Sequence, residues 1–169
     1  LRTIFKCILL LSALLLPLEG NKIEFDANIL PKVIEYSSLA MPASGCDIGI
    51  IYDPAHEYSA VTLKERLLAN DRENRKIRVT LIPVSLYDEE KAASLNALYF
   101  FAFEPEMLRA FNTRKVITFG AKKRYLSGGV MFYLEMLPRI KIYLNPRTMK
   151  ASDISFESSF LKVVEPYHE

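Results

Sequence analysis

Asp47-Ile48-Gly49-Ile50-Ile51-Tyr52 is a short apolar run closed by Asp53-Pro54. Behind it comes a segment with helical spacing, in which Ala60, Leu63, Leu67 and Leu68 form an inward stripe and Lys64, Glu65 and Arg66 point outward. A run without alternation suits a strand covered on both faces, and a strand followed by an amphipathic helix is the first half of a βαβ unit. Asn70-Asp71 supplies the stop. The rhythm continues with Ile77 to Ile82 as a second strand and Ala97 to Phe103 as a third, wholly apolar one. Glu104-Pro105 then opens a short helix that turns Met107, Leu108 and Phe111 inward, and Lys115 to Phe119 makes a fourth strand.

On either side of this block the pattern changes. Phe25, Ile29 and Val33, with Leu30 and Ile34 beside them, predict an amphipathic helix from Ile23, in which Pro31 either kinks the helix or marks its first turn after an Asn28 cap. Downstream, Gly128-Gly129 leads into the strand Val130 to Met136. Leu137-Pro138 separates it from Arg139 to Leu144, a β-hairpin whose Ile140, Ile142 and Leu144 share the core side. Asn145-Pro146 is a helix start, and Phe156, Phe160, Val163 and Val164 predict a last helix that seals the core. The expected fold is α/β: a mostly parallel sheet flanked by helices, with an antiparallel hairpin at one edge.

Ahead of the domain, Arg2 and Lys6 precede the leucine-rich run Ile8 to Leu16, which gives way to Glu19-Gly20-Asn21-Lys22. Charge, apolar run and polarity in that order form a secretory signal, too short to reach the roughly 18–20 residues of a bilayer span. Residues 1–20 are therefore expected to be a cleaved signal peptide and 21–169 a single α/β domain working outside the cytoplasm. The leader holds Arg2, Lys6 and Glu19, which leaves 20 of 22 basic and 19 of 20 acidic residues. So even a balance does not draw a phosphate backbone, and nucleic acid is not an expected partner. Cys7 falls in the leader, so Cys46 has no partner for an internal disulfide and is read as a buried structural residue.

The sequence carries no G-x-S-x-G elbow, no phosphate loop, no H-E-x-x-H and no paired cysteines, and its two histidines are His56 and His168. Catalytic residues, a metal site and a cofactor are accordingly not expected. Two loops are candidates for binding. Asp53-Pro54-Ala55-His56-Glu57 follows the first strand at the carboxyl end of the sheet, where open α/β folds hold ligands, and offers Asp53, His56 and Ser59. Its alternative is a turn that only sets backbone angles. Ser127, Gly128 and Gly129, beside Lys122-Lys123-Arg124, could receive an anion on backbone donors or simply permit a tight bend. Tyr133 and Tyr143 offer an aromatic face on the hairpin for a partner or a second copy.

The order of residues from Val116 to Val164 resembles the YfiR-like family of small bacterial periplasmic proteins. The resemblance rests on the strand Val116-Ile117-Thr118-Phe119, the Gly128-Gly129 pair before an apolar strand, the second strand ending in Asn145, and Phe160-Leu161-Lys162. It extends more faintly back to Ile23. It implies a periplasmic, non-enzymatic regulator of a flavodoxin-like or related α/β fold that contacts an inner-membrane signalling protein, such as a diguanylate cyclase or a sensor kinase. Tyr36-Ser37-Ser38 stands where the family has Trp-Pro, and the family's paired cysteines are missing, so redox sensing through an internal bridge is not expected. A second reading starts from Ile48 to Leu68, which also resembles the opening strand and helix of one lobe of a transport-binding protein. It implies a small periplasmic solute-binding domain with a small-molecule ligand. A third, an enzyme with Asp53, Glu57 and Glu104 as acid and base, needs a convergence that spacing does not supply.

Overall fold

The computed structural model describes residues 18–39, 45–71, 76–108 and 115–168. Residues 1–17 of the leader expected over 1–20, and Phe111 of the expected short helix, lie outside them. Among the described residues no helix is long and apolar enough to cross a membrane.

Helix α1 (Leu18–Glu35) is followed by β1 (Cys46–Tyr52), α2 (Glu57–Ala69) and β2 (Ile77–Pro83). The short α3 (Glu89–Ala92) then leads to β3 (Ala97–Phe100) and β4 (Ile117–Gly120). The chain closes with β5 (Phe132–Glu135), β6 (Lys141–Leu144), α4 (Pro146–Ala151), α5 (Ser158–Leu161) and β7 (Glu165–Pro166). The seven strands form one sheet in the order β2-β1-β3-β4-β5-β6-β7. All neighbours are parallel except β5 and β6, which form the expected antiparallel hairpin with Tyr133 opposite Tyr143. The α/β class is as expected, a mostly parallel sheet with helices on it.

The strand residues divide between two cores. Ile48, Ile50, Tyr99, Phe119, Phe132 and Leu134 pack under α1 and α2 on one face, while Ile51, Leu98, Phe100 and Val116 pack with Ala92, Met107 and Tyr125 on the other. Burial on both sides is why these strands lack alternation. Edge strand β2 alternates instead, with Arg78 exposed and Ile77 buried, and Arg78 grips Asp47 of β1 through bonds of 2.6 and 2.7 Å. Cys46 is buried, and desolvation, with Asp47 adding to it, pushes its thiol up to about 12.

Several expectations need correction. Pro31 does not mark the first turn of α1: it sits inside the helix, and Asn28 is no cap, its amide bonding instead to the Glu24 carbonyl at 2.8 Å. Packing on most of its circumference, with Phe25, Ala27, Leu30 and Val33 buried, outweighs the one backbone bond a proline removes. Leu68 of α2 is 45% exposed, because the helix turns Ala60, Leu63 and Leu67 to the sheet and 68 falls past that stripe. The third strand stops at Phe100, and residues 105–108 form a single 3₁₀ turn. The largest departure is at the end. The expected last helix is only α5, after which Glu165 and Pro166 pair beside Tyr143 and Leu144, so the hairpin is not the edge. Phe156 and Phe160 still seal the core by packing on Phe132, and the backbone between them is tied to the end of α1 by Glu157 N–H donating to the Tyr36 carbonyl at 2.9 Å.

Candidate functional site

The order β2-β1-β3 means that β1 connects to a strand on one side of it and β3 to a strand on the other, so the carboxyl ends of β1 and β3 form a topological switch. Open α/β sheets bind their ligands at such a switch. The loop after β1 places Asp53 so that its Oδ1 accepts from the His56 backbone N–H at 3.0 Å and from the ring Nδ1–H at 2.6 Å. Asp53 thereby caps a 3₁₀ turn over Pro54–His56, with the proline at its first position. The hydrogen bond from the imidazole, more than its charge, holds the Asp53 carboxyl below its ordinary value of 3.8. The His56 ring lies against Phe101, the first residue after β3, at 6.0 Å between centroids and 21° between planes. The two loops of the switch therefore touch through a histidine and a phenylalanine. Ser59 is on the first turn of α2, half-buried, while Glu57 and Glu104 are exposed.

Because its folded value is depressed, the Asp53 contribution to stability is present above the unfolded value and lost as pH falls through the folded one. The pair is largely solvent-screened, so the effect is small. Carboxyl titration followed by NMR should give Asp53 a midpoint below 3.8 that moves back up in His56→Ala. An unchanged midpoint in that variant would reject the contact.

Beside this loop lies a second polar group, contributed by α1 and β3. Asp26, 1% exposed in the middle of α1, accepts from Lys22 Nζ at 2.5 Å on both oxygens and from the Tyr99 O–H on Oδ2. Burial raises the Asp26 carboxyl above 3.8 against the opposing pull of Lys22 and Tyr99, and burial with the Asp26 charge lifts Tyr99 well above 10.0. The Tyr99 ring packs on Phe101 at 4.9 Å, and Lys22 Nζ stands 5.5 Å from the Tyr133 ring, in register with Gly120 at the carboxyl end of β4. A continuous series of contacts thus runs from Asp53 through His56 and Phe101 into the core at Tyr99 and Asp26, and out again to Lys22 and Tyr133.

Tyr133 stacks on Tyr143 at 6.2 Å, Tyr143 donates to Glu135 at 3.1 Å, and Lys123 Nζ lies 3.8 Å from the Tyr143 ring centre. The glycine loop is engaged with itself. Gly128 and Gly129 N–H donate to the Tyr125 and Leu126 carbonyls at 3.1 Å each, and Ser127 donates to the Arg124 carbonyl at 2.7 Å. Gly129 has φ of 104°, which favours glycine in the bend, and Gly128 is kept small by the Phe103 ring, from which a Cβ would lie 2.5 Å. Among the described residues no group of three or more His, Cys, Asp or Glu side chains is placed to hold a metal ion.

Sequence reasoning did not single out Lys22, Asp26, Tyr99 or Phe101. A signal was present for two of them. Asp26 interrupts the apolar side of α1 four residues after a lysine, the spacing at which helix side chains meet.

No family model and no curated protein sequence matches the chain. Solved structures do. A conserved domain protein from Vibrio cholerae O1 biovar El Tor superimposes with a TM-score of 0.62 at 15% identity, over 83% of this chain and 59% of that one. The ABC domain from Streptococcus pneumoniae, solved in complex with L-Trp, gives 0.58 at 9% identity over 86% and 60%. An ABC transporter periplasmic solute-binding protein from Actinobacillus succinogenes with bound D-allose gives 0.44 at 14% over 70% and 47%, too low a score to bear on the fold. The chain spans 59% and 60% of the first two, and at these identities the likeness is one of fold alone.

Proposed function

We propose that this chain is a non-enzymatic solute-binding α/β unit of an exported, periplasmic protein, and that its ligand sits at the carboxyl edge of the sheet between the loops after β1 and β3. The observation that carries the reading is the meeting of His56 and Phe101 at the switch, flanked by Asp53 and by the Lys22, Asp26 and Tyr99 group. An aromatic surface bordered by a few fixed polar groups is the usual make-up of a small-molecule site. The likeness to the L-Trp-bound domain is in keeping with it. Solute-binding proteins close two lobes on their ligand, and roughly 150 residues supply one. The opposing lobe would come from further chain or from a second copy.

A thermal-shift screen of the purified protein with amino acids, sugars and small organic acids tests this. A ligand at a hundred times its Kd should add about 2.7 kcal/mol of stability. No shift with any class, together with no small molecule carried through purification by native mass spectrometry, would remove the proposal.

The second reading is the periplasmic regulator of an inner-membrane signalling protein. It is supported by the resemblance over 116–164 and by exposed Tyr58, Val61 and Leu68 spaced along the outer side of α2. Loss of the protein should then change cyclic-di-GMP or the output of a sensor kinase. Unaltered signalling after deletion would count against it.

A further inference from the structure

The three most exposed large apolar side chains among the described residues, Tyr58 at 83%, Leu86 at 73% and Leu137 at 55%, all follow the carboxyl end of a strand. Tyr58 is in the first turn of α2, where side chains lean toward the start of the helix and so toward the loop after β1. Leu86 ends the 3₁₀ turn after β2, and Leu137 lies in the turn of the β5-β6 hairpin. Ile51, Phe100, Gly120 and Tyr133 stand level across the sheet, so Leu134 to Leu137 carry the hairpin about 10 Å past that line. The charges on this edge are sorted. Loops 53–58, 84–88 and 101–108, after β1, β2 and β3, hold Asp53, Glu57, Asp88, Glu104 and Glu106 and no lysine or arginine. Loops 121–126 and 136–140, after β4 and β5, hold Lys122, Lys123, Arg124 and Arg139 and no carboxylate. Glu57, Glu104, Lys122 and Arg139 are exposed, and none of them is in an ion pair among the described residues.

We propose that a second copy of this chain docks here, carboxyl edge against carboxyl edge, about a two-fold axis normal to the sheet at the boundary of β3 and β4. That operation reverses both strand direction and strand order, so β3, β1 and β2 of one copy face β4, β5 and β6 of the other, and the contact is made twice. The acidic loops of each copy then meet the basic loops of its mate: Lys122 to Arg124 come over Glu104, and Arg139 over Glu57. The protruding hairpin brings Leu137 to the side where Tyr58 and Leu86 stand exposed on the other copy. An anionic lipid surface would attract the basic half of the edge and be repelled by the acidic half, whereas a second copy satisfies both. The second copy is the opposing lobe that the solute-binding reading asks for, and the contact rests on that reading only for what the two edges enclose.

Analytical ultracentrifugation of the purified protein over a range of concentrations tests the contact. The parent chain should be a dimer with a Kd of about 10 μM or tighter. Salt at about 1 M, which screens charges beyond about 3 Å, should weaken it about tenfold. Lys122→Glu with Arg139→Glu makes both halves of the edge acidic, and Glu57→Lys with Glu104→Lys shifts both toward basic. Each of these variants should be monomeric, and mixing the two should restore a dimer. The changed side chains are exposed, so both variants should fold, as circular dichroism of the same samples will report. Leu137→Ser should weaken the parent dimer about tenfold or more. A parent chain that stays monomeric, a dimer that the charge reversals or Leu137→Ser leave intact, or variants that do not pair on mixing would each overturn the contact. A monomer that floats with vesicles of phosphatidylglycerol and phosphatidylcholine would assign the basic loops to a lipid surface and overturn it as well. A monomer that gains thermal stability with a solute would sink the contact and keep the solute-binding reading, and a dimer that responds to no solute would do the reverse.

Discussion

Truncation of Phe132 to alanine is expected to lower the unfolding free energy by about 3–5 kcal/mol. Phe132 is fully buried, stacks on Phe119 of β4 at 5.5 Å, and meets the edges of Phe156 and Phe160 at 5.2 and 6.0 Å. It therefore joins the parallel part of the sheet, the hairpin and the C-terminal segment. Rings supplied by several separate segments cannot collapse together into the space a phenyl leaves, which puts the cost in the upper part of the range for such truncations. Against a total of about 5–15 kcal/mol for a domain, the variant should be close to unfolding. Urea titration should show the midpoint falling with little change in slope, and amide exchange should quicken first around residues 156–160. A loss below about 1 kcal/mol would mean that the cluster does not hold the closing segment.

Lys22→Met should be the most damaging change at the polar group, at about 3 kcal/mol near neutral pH, because it leaves a buried carboxylate without its counter-charge. The effect should depend on pH in a defined direction. Burial already raises Asp26 above its ordinary 3.8, so the folded state favours the protonated acid. That contribution is complete below 3.8 and is lost as pH rises through the folded value. Removing Lys22 takes away the largest opposing influence and moves the folded value higher. The deficit relative to the parent should therefore be widest near neutrality and shrink as the solution is acidified toward 3.8. Replacing the buried partners together, Asp26→Leu with Tyr99→Phe, should instead be neutral or stabilising by about 1–4 kcal/mol. A Lys22→Met deficit that does not vary with pH would show that Asp26 is not the group left exposed to the loss. A strongly destabilised double variant would make the polar group structural and weaken its assignment to binding.

Where local chemistry was sufficient, the chain could be read directly. Asn145 caps α4 by accepting from the Arg147 and Thr148 N–H groups, as the Asn-Pro pair suggests, and the β1-α2-β2 unit follows from adjacent periodicities. The candidate loop at Asp53 was legible for the same reason: a strand end followed by Asp-Pro defines where the sheet stops. The helix at the C-terminus was misjudged because Phe156 and Phe160 have helical spacing but are buried by contacts with Phe132 and Tyr36 rather than by a helix long enough to use that spacing. Glu165-Pro166 has too little strand character to announce itself, and it pairs only because β6 presents an edge to it.

Neighbours in the chain and the period of their side chains are enough to tell which segments are strands buried on two faces, which helix packs between consecutive strands, and where the carboxyl end of β1 lies. The strand order, the meeting of His56 with Phe101, and the bond between Tyr99 and Asp26 across 73 positions arise only from the folded arrangement. Those depend on how the helices and strands settle against one another, because a polar group taken out of water finds its partners only among the segments that packing brings to it.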